Sequence, residues 1–367
     1  MDRKIYGAIL FIQAIYTGMF LLSKVAFDVG MNPFVFVFYR QSAATVFLAP
    51  IALFLERKTA PPISFLICLK IFMLSLFGVT LSLNIYGVAL KYTSATLAAA
   101  TTNSLPVTTF ILAVLLRMET AKMRTRAGIA KVMGIVLCAG GALTIAFFKG
   151  PTLKLLLHHH LFSYKGEVQN TAASGNSWIK GVFLMLLANA LWATWLVMQN
   201  RILKSYPSKL LCTTLQCFMS TIQAFVFAIA LARDPSEWRL GWNVRLLSVA
   251  YCGIVVTGVT FYLQAWVVEK KGPVYLAMTT PLALIFTIAS SAVLFGEIIS
   301  LGSILGGILL VGGLYSVLWG KSREHKIAAS NTGDIEQAEN GSRKEEIVEK
   351  QSSIPNARIQ QHASYPA

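Results

Sequence analysis

Lys91 to Glu119 reads KYTSATLAAATTNSLPVTTFILAVLLRME, an apolar run of membrane-crossing length with a polar cluster, Thr101-Thr102-Asn103-Ser104-Leu105-Pro106, near its middle. About 20 apolar residues cross a hydrocarbon core of roughly 30 Å. Polar groups inside such a segment must find partners or line a wet cavity, because lipid supplies no hydrogen bonds. A second copy follows from Gly272 to Glu297, GPVYLAMTTPLALIFTIASSAVLFGE, again with Thr-Thr ahead of a proline and a glutamate at the end. Laying Glu119 on Glu297 without gaps puts Gly128 on Gly306 and Gly134 on Gly312. The spacing points to a duplicated half.

Composition carries the same message outward. Hydrophobic residues make up 55% of the chain and charged residues 13%, against roughly a quarter charged in soluble domains, which excludes one compact soluble domain. Ten apolar spans follow in order: Ile5–Phe27, Pro33–Leu55, Phe65–Leu90, Ala95–Leu116, Ala127–Phe147, Trp178–Gln199, Leu210–Leu231, Val244–Val268, Pro273–Phe295 and Leu301–Leu318. The first span is too long for a signal-peptide core and is read as a retained helix. Asn32-Pro33 is a helix-start signal for the second, which holds Arg40. That cation must snorkel, pair or face water.

The longest connection, Phe148 to Ser177, contains His158-His159-His160. Three adjacent histidines cannot share one metal from a helix or strand, and no Cys or carboxylate stands at ligand spacing. No metal and no cofactor is implied, and the segment reads as a connector. Aligning Gly7 with Gly181 puts Pro33 on Pro207, so the sixth and seventh spans echo the first and second. Five helices per half is an odd number and inverts the second copy, the plan of many secondary transporters. The expected organisation is a first five-helix repeat over 1–150, a connector over 151–177, a second repeat over 178–320 and a disordered cytoplasmic tail over 321–367.

With the N-terminus inside, the cytoplasmic connections hold Arg3, Lys4, Arg57, Lys58, Arg117, Lys122, Arg124, Arg126, Arg201, Lys204, Lys209, Lys270 and Lys271, as the positive-inside rule requires. Both termini are then cytoplasmic. Basic and acidic residues balance after Gly320, so the net charge of +16 belongs to the membrane part. It reflects topology and lipid headgroup contact rather than nucleic-acid binding. The five cysteines lie in or beside apolar spans and act as small hydrophobes.

Tyr39-Arg40 followed by Leu48-Ala49-Pro50 and Glu56-Arg57-Lys58, the stretch Thr96 to Glu119, and the late stretch from Gly272-Pro273-Val274 to Trp319-Gly320-Lys321 together resemble the plant UMAMIT family. This is the nodulin-21-like, Walls-Are-Thin-related branch of the drug/metabolite transporter superfamily, with EamA-type repeats. The resemblance covers nearly all of Met1 to Lys321. It implies an all-α membrane protein of ten transmembrane helices in two inverted five-helix repeats. It also implies transport of amino acids, or in some members auxin, mostly by bidirectional facilitators at the plasma membrane or the tonoplast.

The residues carry a mechanistic argument of their own. All histidines lie outside the spans, and Asp28, Glu56, Glu119, Glu269 and Glu297 sit at span ends, so no carboxylate or histidine relay stands at mid-membrane. An uncoupled facilitator is expected. Helical spacing places Gln13 and Tyr16 on one face of the first span, and Thr80, Asn84 and Gly87 on one face of the third. Thr101, Ser104 and Thr108, with Asn103 adjacent, share a face of the fourth. Asn189, Trp192 and Gln199 do so in the sixth, and Thr257, Thr260 and Gln264 in the eighth, with Thr279, Thr280 and Pro281 completing the set. The candidate substrate-binding residues are Gln13, Tyr16, Asn84, Thr101, Asn103, Asn189, Trp192, Gln264 and Thr280. Arg40, Pro106, Glu119, Pro281 and Glu297 are gating or structural candidates. Amide and hydroxyl groups can hold a carboxylate, while an aromatic face or carbonyls freed by Pro106 and Pro281 hold an ammonium. The same residue types also join transmembrane helices by hydrogen bonds.

An enzyme would need a nucleophile, an acid/base pair or a metal site, and no G-x-S-x-G, H-E-x-x-H or membrane carboxylate dyad is present. A receptor would not require two inverted halves with polar clusters at matching depths. The partners expected are therefore a small-molecule substrate and the lipid bilayer. Within carriers, the alternative to amino acids is export of auxin or another small organic metabolite, with Trp192 and Trp195 stacking on its ring.

Overall fold

A computed structural model of the chain describes residues 2–56, 62–93, 95–118, 125–148, 152–153, 175–206, 208–295, 299–302, 305–313, 315–317, 319–320 and 323. Glu119, Glu297, the histidine run and the tail beyond Arg323 lie outside the described residues. The helices are α1 (Asp2–Asp28), α2 (Pro33–Leu55), α3 (Phe65–Leu74), α4 (Ser82–Tyr92), α5 (Ala95–Thr102), α6 (Leu105–Leu115), α7 (Arg126–Phe147) and α8 (Gly175–Ser205). They continue as α9 (Lys209–Leu231), α10 (Val244–Ala250), α11 (Phe261–Lys271), α12 (Pro273–Ala277) and α13 (Thr280–Phe295), followed by α14 (Leu305–Val317). A two-residue antiparallel pair, Thr152–Leu153 with Ile299–Ser300, interrupts the all-helical plan. Among the described residues, seven helices are long and apolar enough to cross a membrane: Arg3–Asp28, Pro33–Leu55, Phe65–Tyr92, Lys180–Ser205, Lys209–Leu231, Val244–Lys271 and Pro273–Ser290.

Local signals set the helix ends. Asn32 Oδ1 accepts the Phe34 N–H at 2.9 Å with Pro33 at the first helical position, where its missing N–H costs nothing. Thr125 caps α7 through the Gly128 N–H at 3.1 Å. Gly272, at φ 87°, stops α11, a conformation that a side chain disfavours.

Two expectations of plain helices are corrected. The third and eighth spans each contain a π-helical segment, Ser75–Leu81 between α3 and α4 and Tyr251–Thr260 between α10 and α11. The wider turn rotates the face of everything after it. The fourth and ninth spans are broken, with α5 ending at Thr102 before α6 and α12 ending at Ala277 before α13. Pro106 and Pro281 each stand second in the helix after the break, because a proline tolerates a first turn and not an interior.

α2 packs along α9, α4 along α8, and α1 along α13 and the segment Tyr251–Thr260, while α8 also meets α6. The outer surface carries exposed Phe54, Phe65, Val46 and Leu115, a liability in water and an ordinary surface in lipid. Lipid gives helices no hydrophobic reason to associate, so close packing and hydrogen bonds must do it. At the crossing of α7 and α14 glycines supply the approach: a Cβ on Gly134 would press on Val317 and stand 2.5 Å from the Gly313 carbonyl, and one on Gly313 would meet the Gly134 carbonyl at 2.6 Å. Gly134→Val is expected to cost about 1–3 kcal/mol by overpacking and to lower the melting temperature in detergent. Gly140→Ala, with nothing within 4 Å of the new methyl, is expected to leave it unchanged, and equal melting of the two variants would refute the packing account.

Candidate functional site

A cavity of about 710 Å³, mouth included, opens between α1, α2, α4, the two helix breaks, α8 and α11. Six of the substrate-binding candidates line it: Gln13 and Tyr16 from α1, Asn189 and Trp192 from α8, Gln264 from α11 and Thr280 at the start of α13. Asn84, Thr101 and Asn103 do not. Asn84 Nδ2 turns back to the Thr80 carbonyl at 2.8 Å, Thr101 Oγ1 to Ala98 at 3.0 Å and Asn103 Nδ2 to Ala99 at 3.0 Å.

At the helix breaks other short polar side chains turn back in the same way. Thr102 Oγ1 donates to the Ala98 carbonyl at 2.8 Å, Thr279 Oγ1 to Leu276 at 2.7 Å and Thr280 Oγ1 to Ala277 at 2.9 Å. Of the carbonyls that Pro106 and Pro281 free one turn earlier, those of Thr102 and Ala277, Ala277 is met by the Thr280 hydroxyl, the competition that short polar residues offer. Thr102 and Thr280, one from each break, nevertheless reach the cavity wall.

Among the described residues, four that line the cavity carry a buried polar atom without a partner, and Gln41, Asn84, Thr109, Gln199 and Tyr206 carry others away from it. Gln13 Nε2 donates to Thr279 Oγ1 at 2.9 Å, and because the Thr279 hydroxyl proton is already on Leu276, the amide must present its NH₂ there. Gln13 Oε1 is left unpaired. Gln264 Nε2 donates to Tyr16 Oη at 2.8 Å, leaving Gln264 Oε1 unpaired, and Asn189 Nδ2 and Tyr86 Oη are unpaired as well. A buried polar atom without a bond costs roughly 1–3 kcal/mol, and such groups call for a water or a ligand. Apolar walls from Phe20, Leu83, Trp192 and Leu196 complete the space. Trp192 stacks on Trp195 with ring centroids 4.8 Å apart and 27° between planes. Trp195 itself stands behind the wall, fully buried.

The two halves contribute in register. The helix ends shift the register by two residues from the one that lays Pro33 on Pro207: a single spacing separates Gln13 from Asn189, Tyr16 from Trp192, and Pro33 from Lys209, the first residues of α2 and α9. Gly78-Val79-Thr80-Leu81-Ser82-Leu83-Asn84 likewise echoes Gly258-Val259-Thr260-Phe261-Tyr262-Leu263-Gln264 around the two π-helical segments. This echo is a sequence signal that side-chain periodicity alone overlooks. Arg40, expected to be gating or structural, also lines the cavity.

Acidic side chains at the span ends are engaged away from the cavity. Asp28 pairs with Lys24 and Glu269 with Lys209, each at 2.8 Å. Glu56 accepts from the Ser208 hydroxyl and, at 3.0 Å, the Leu211 N–H, a carboxylate on the positive end of α9. On the opposite face Asn32 Nδ2 donates to Glu237 at 2.9 Å and Tyr39 Oη to the Trp238 carbonyl at 2.9 Å. Ties thus join the halves at both ends.

Stacked membrane-crossing helices around a largely apolar cavity that carries a few polar side chains define an integral membrane protein of the transporter class. The family description "EamA-like transporter family" matches residues 4–147 and again 179–319. The chain belongs to this family, in its WAT1-related branch: a WAT1-related protein of Arabidopsis thaliana is 58% identical over 338 residues, 91% of this chain and 93% of that protein. Protein WALLS ARE THIN 1 of the same plant is 36% identical over 346 residues, 92% of this chain and 88% of that protein. A solved crystal structure with 16% identity and a TM-score of 0.58, covering 87% of this chain and 98% of its own, shares the fold.

Proposed function

We propose that the protein is a secondary carrier moving amino acids across the membrane by alternating access, as a bidirectional facilitator without proton coupling. The observation that carries this reading is that three residues lining the cavity hold an unpaired acceptor or donor, Gln13 Oε1, Gln264 Oε1 and Asn189 Nδ2. Acceptors suit an ammonium and donors a carboxylate. Ten transmembrane helices in two inverted repeats, 1–150 and 178–320, joined by 151–177 and followed by the tail 321–367, are the frame proposed for the motion. Its support is the matched pairing of α4 with α8 and of α1 with Tyr251–Thr260, together with the two stretches matched by the family. The proposed site is the plasma membrane or, alternatively, the vacuolar membrane, with both termini cytoplasmic.

The wall chemistry supports uncoupled transport. None of the described residues lining the cavity is an Asp, Glu or His, the groups that relay protons in pumps and transporters. In proteoliposomes, amino-acid counterflow is expected to run equally in both orientations and to stay within twofold between pH 5.5 and 7.5. Uphill accumulation driven by an imposed pH gradient would defeat the uncoupled mechanism. Trp192 on the wall, backed by Trp195 and by Phe261 at 5.3 Å from Trp192, supports a second reading, export of auxin or a related indole acid. Competition between amino acids and indole acids for the same flux separates the two.

A further inference from the structure

We infer that Arg40 is the anchor for a carboxylate that every transported substrate carries, an assignment that rests on the carrier reading and narrows its substrate class. Arg40 is 2% exposed and lies seven residues into α2, inside the span rather than at its end. Its Nε donates to Thr257 Oγ1 at 2.7 Å. No Asp or Glu pairs with it among the described residues, and its terminal nitrogens take no protein acceptor there. A guanidinium does not give up its proton, so it must meet an anion, dipoles or water. An uncompensated charge inside a membrane is otherwise too costly to keep.

Position distinguishes an anchor from a packing arginine. The backbone at Arg40 is pressed against the π-helical segment, where a Cβ on Gly253 would stand 2.7 Å from the Arg40 carbonyl. The same segment supplies Thr257. Backbone and Nε are therefore both fixed, and the guanidinium edge that lines the cavity is held ready for a planar acceptor. Arginine presents two parallel N–H groups to a carboxylate in this way. The repeat sharpens the contrast. At the spacing that relates α2 to α9, Arg40 answers to Gln216, which is fully buried and committed to Trp195 Nε1 at 2.9 Å and Gln199 Oε1 at 2.7 Å. One half fills this position with an internal network and the other leaves a cation on the cavity wall. Phe20, Leu83 and Trp192 beside it would hold an apolar or aromatic body, and Gln13 Oε1 and Gln264 Oε1 would take an N–H where the substrate has one.

The test uses the purified full-length protein in proteoliposomes and four probes: L-phenylalanine, L-phenylalaninamide, indole-3-acetate and indole-3-acetamide. Wild type is expected to carry one or both acids and neither amide, and the carried acid should raise the melting temperature. Arg40→Gln should lower acid transport roughly thirtyfold or more, as loss of one partner from a buried charge pair does, and abolish the acid-dependent thermal shift. Arg40→Lys keeps the charge without the fork and should recover part of the flux. Should Arg40→Gln fail to fold, Thr257→Val leaves the cation but frees its Nε, and is expected to cost several-fold in acid transport and to narrow the acid-over-amide preference. Amides carried as well as acids by wild type, or acid flux unchanged in Arg40→Gln and Thr257→Val, would overturn the anchor while leaving the carrier intact. Absence of flux and of thermal shift for all four probes in wild type would remove the carrier reading and the anchor with it.

Discussion

Trp195→Ala is expected to lose about 3 kcal/mol of stability and nearly all transport. The side chain is fully buried, with ring centroids 4.8 Å from Trp192 and 5.2 Å from Phe261. Its backbone end lies against Gly78, where a Cβ would meet Trp195 Cβ at 2.6 Å, so the indole and the wide turn of Ser75–Leu81 fit only because the glycine has no side chain. Truncation to alanine leaves a void that the close-packed surroundings fill only in part, and removal of large buried side chains costs roughly 3–5 kcal/mol in water-soluble cores. The low end is expected here, since lipid withholds the hydrophobic share of that figure and leaves dispersion and hydrogen bonding. Gln216 Oε1 also loses its donor at 2.9 Å, while Trp192 loses the ring that holds it at the cavity wall. Trp195→Phe separates these effects: it keeps most of the stack, drops the Nε1 donor and should cost about 1–3 kcal/mol. Melting temperatures in detergent, read beside initial rates in proteoliposomes, check both variants. A Trp195→Ala protein that melts like wild type would show that the stack bears little of the packing.

The spans were legible because length and apolarity are the whole requirement for crossing lipid, and the helix start at Asn32-Pro33 was legible because capping chemistry is local. The helix breaks were only half legible. Thr101, Thr102, Thr279 and Thr280 marked the right places, yet a threonine hydroxyl can serve its own backbone or a cavity, and sequence does not say which. Asn84 shows the cost: its position on a regular helical face is undone by the π-helical segment Ser75–Leu81, and its amide returns to Thr80. Gln264 follows an equivalent segment and does reach the cavity. Arg40 was recognisable as an expensive residue, but its bond to Thr257 spans 217 residues of sequence and has no local signature. Glu119 and Glu297, by contrast, had a clear echo in sequence and lie outside the described residues.

Gln13→Leu is expected to cut transport roughly tenfold while leaving stability unchanged or slightly raised. Gln13 is 2% exposed, and its amide divides its work: Nε2 ties α1 to Thr279 at the break between α12 and α13, and Oε1 is left unpaired on a residue that lines the cavity. For the empty protein, leucine of similar size removes one hydrogen bond, worth about 0.5–1.5 kcal/mol, and also removes a buried acceptor whose lack of a partner costs a comparable amount. The two effects nearly cancel. For the loaded protein they do not, because the acceptor that would meet the substrate is gone and about 1.4 kcal/mol is a factor of ten in affinity. The tie to Thr279 adds a second consequence: if the break between α12 and α13 moves in the transport cycle proposed above, freeing it from α1 should change turnover as well as apparent affinity. Asn189→Leu, at the equivalent position of α8, has no such tie among the described residues, and should raise KM with little change in maximal rate. Initial rates over a range of substrate concentrations, with melting temperature as the folding control, distinguish the pair. Equal kinetics in Gln13→Leu and wild type would place substrate recognition elsewhere in the cavity.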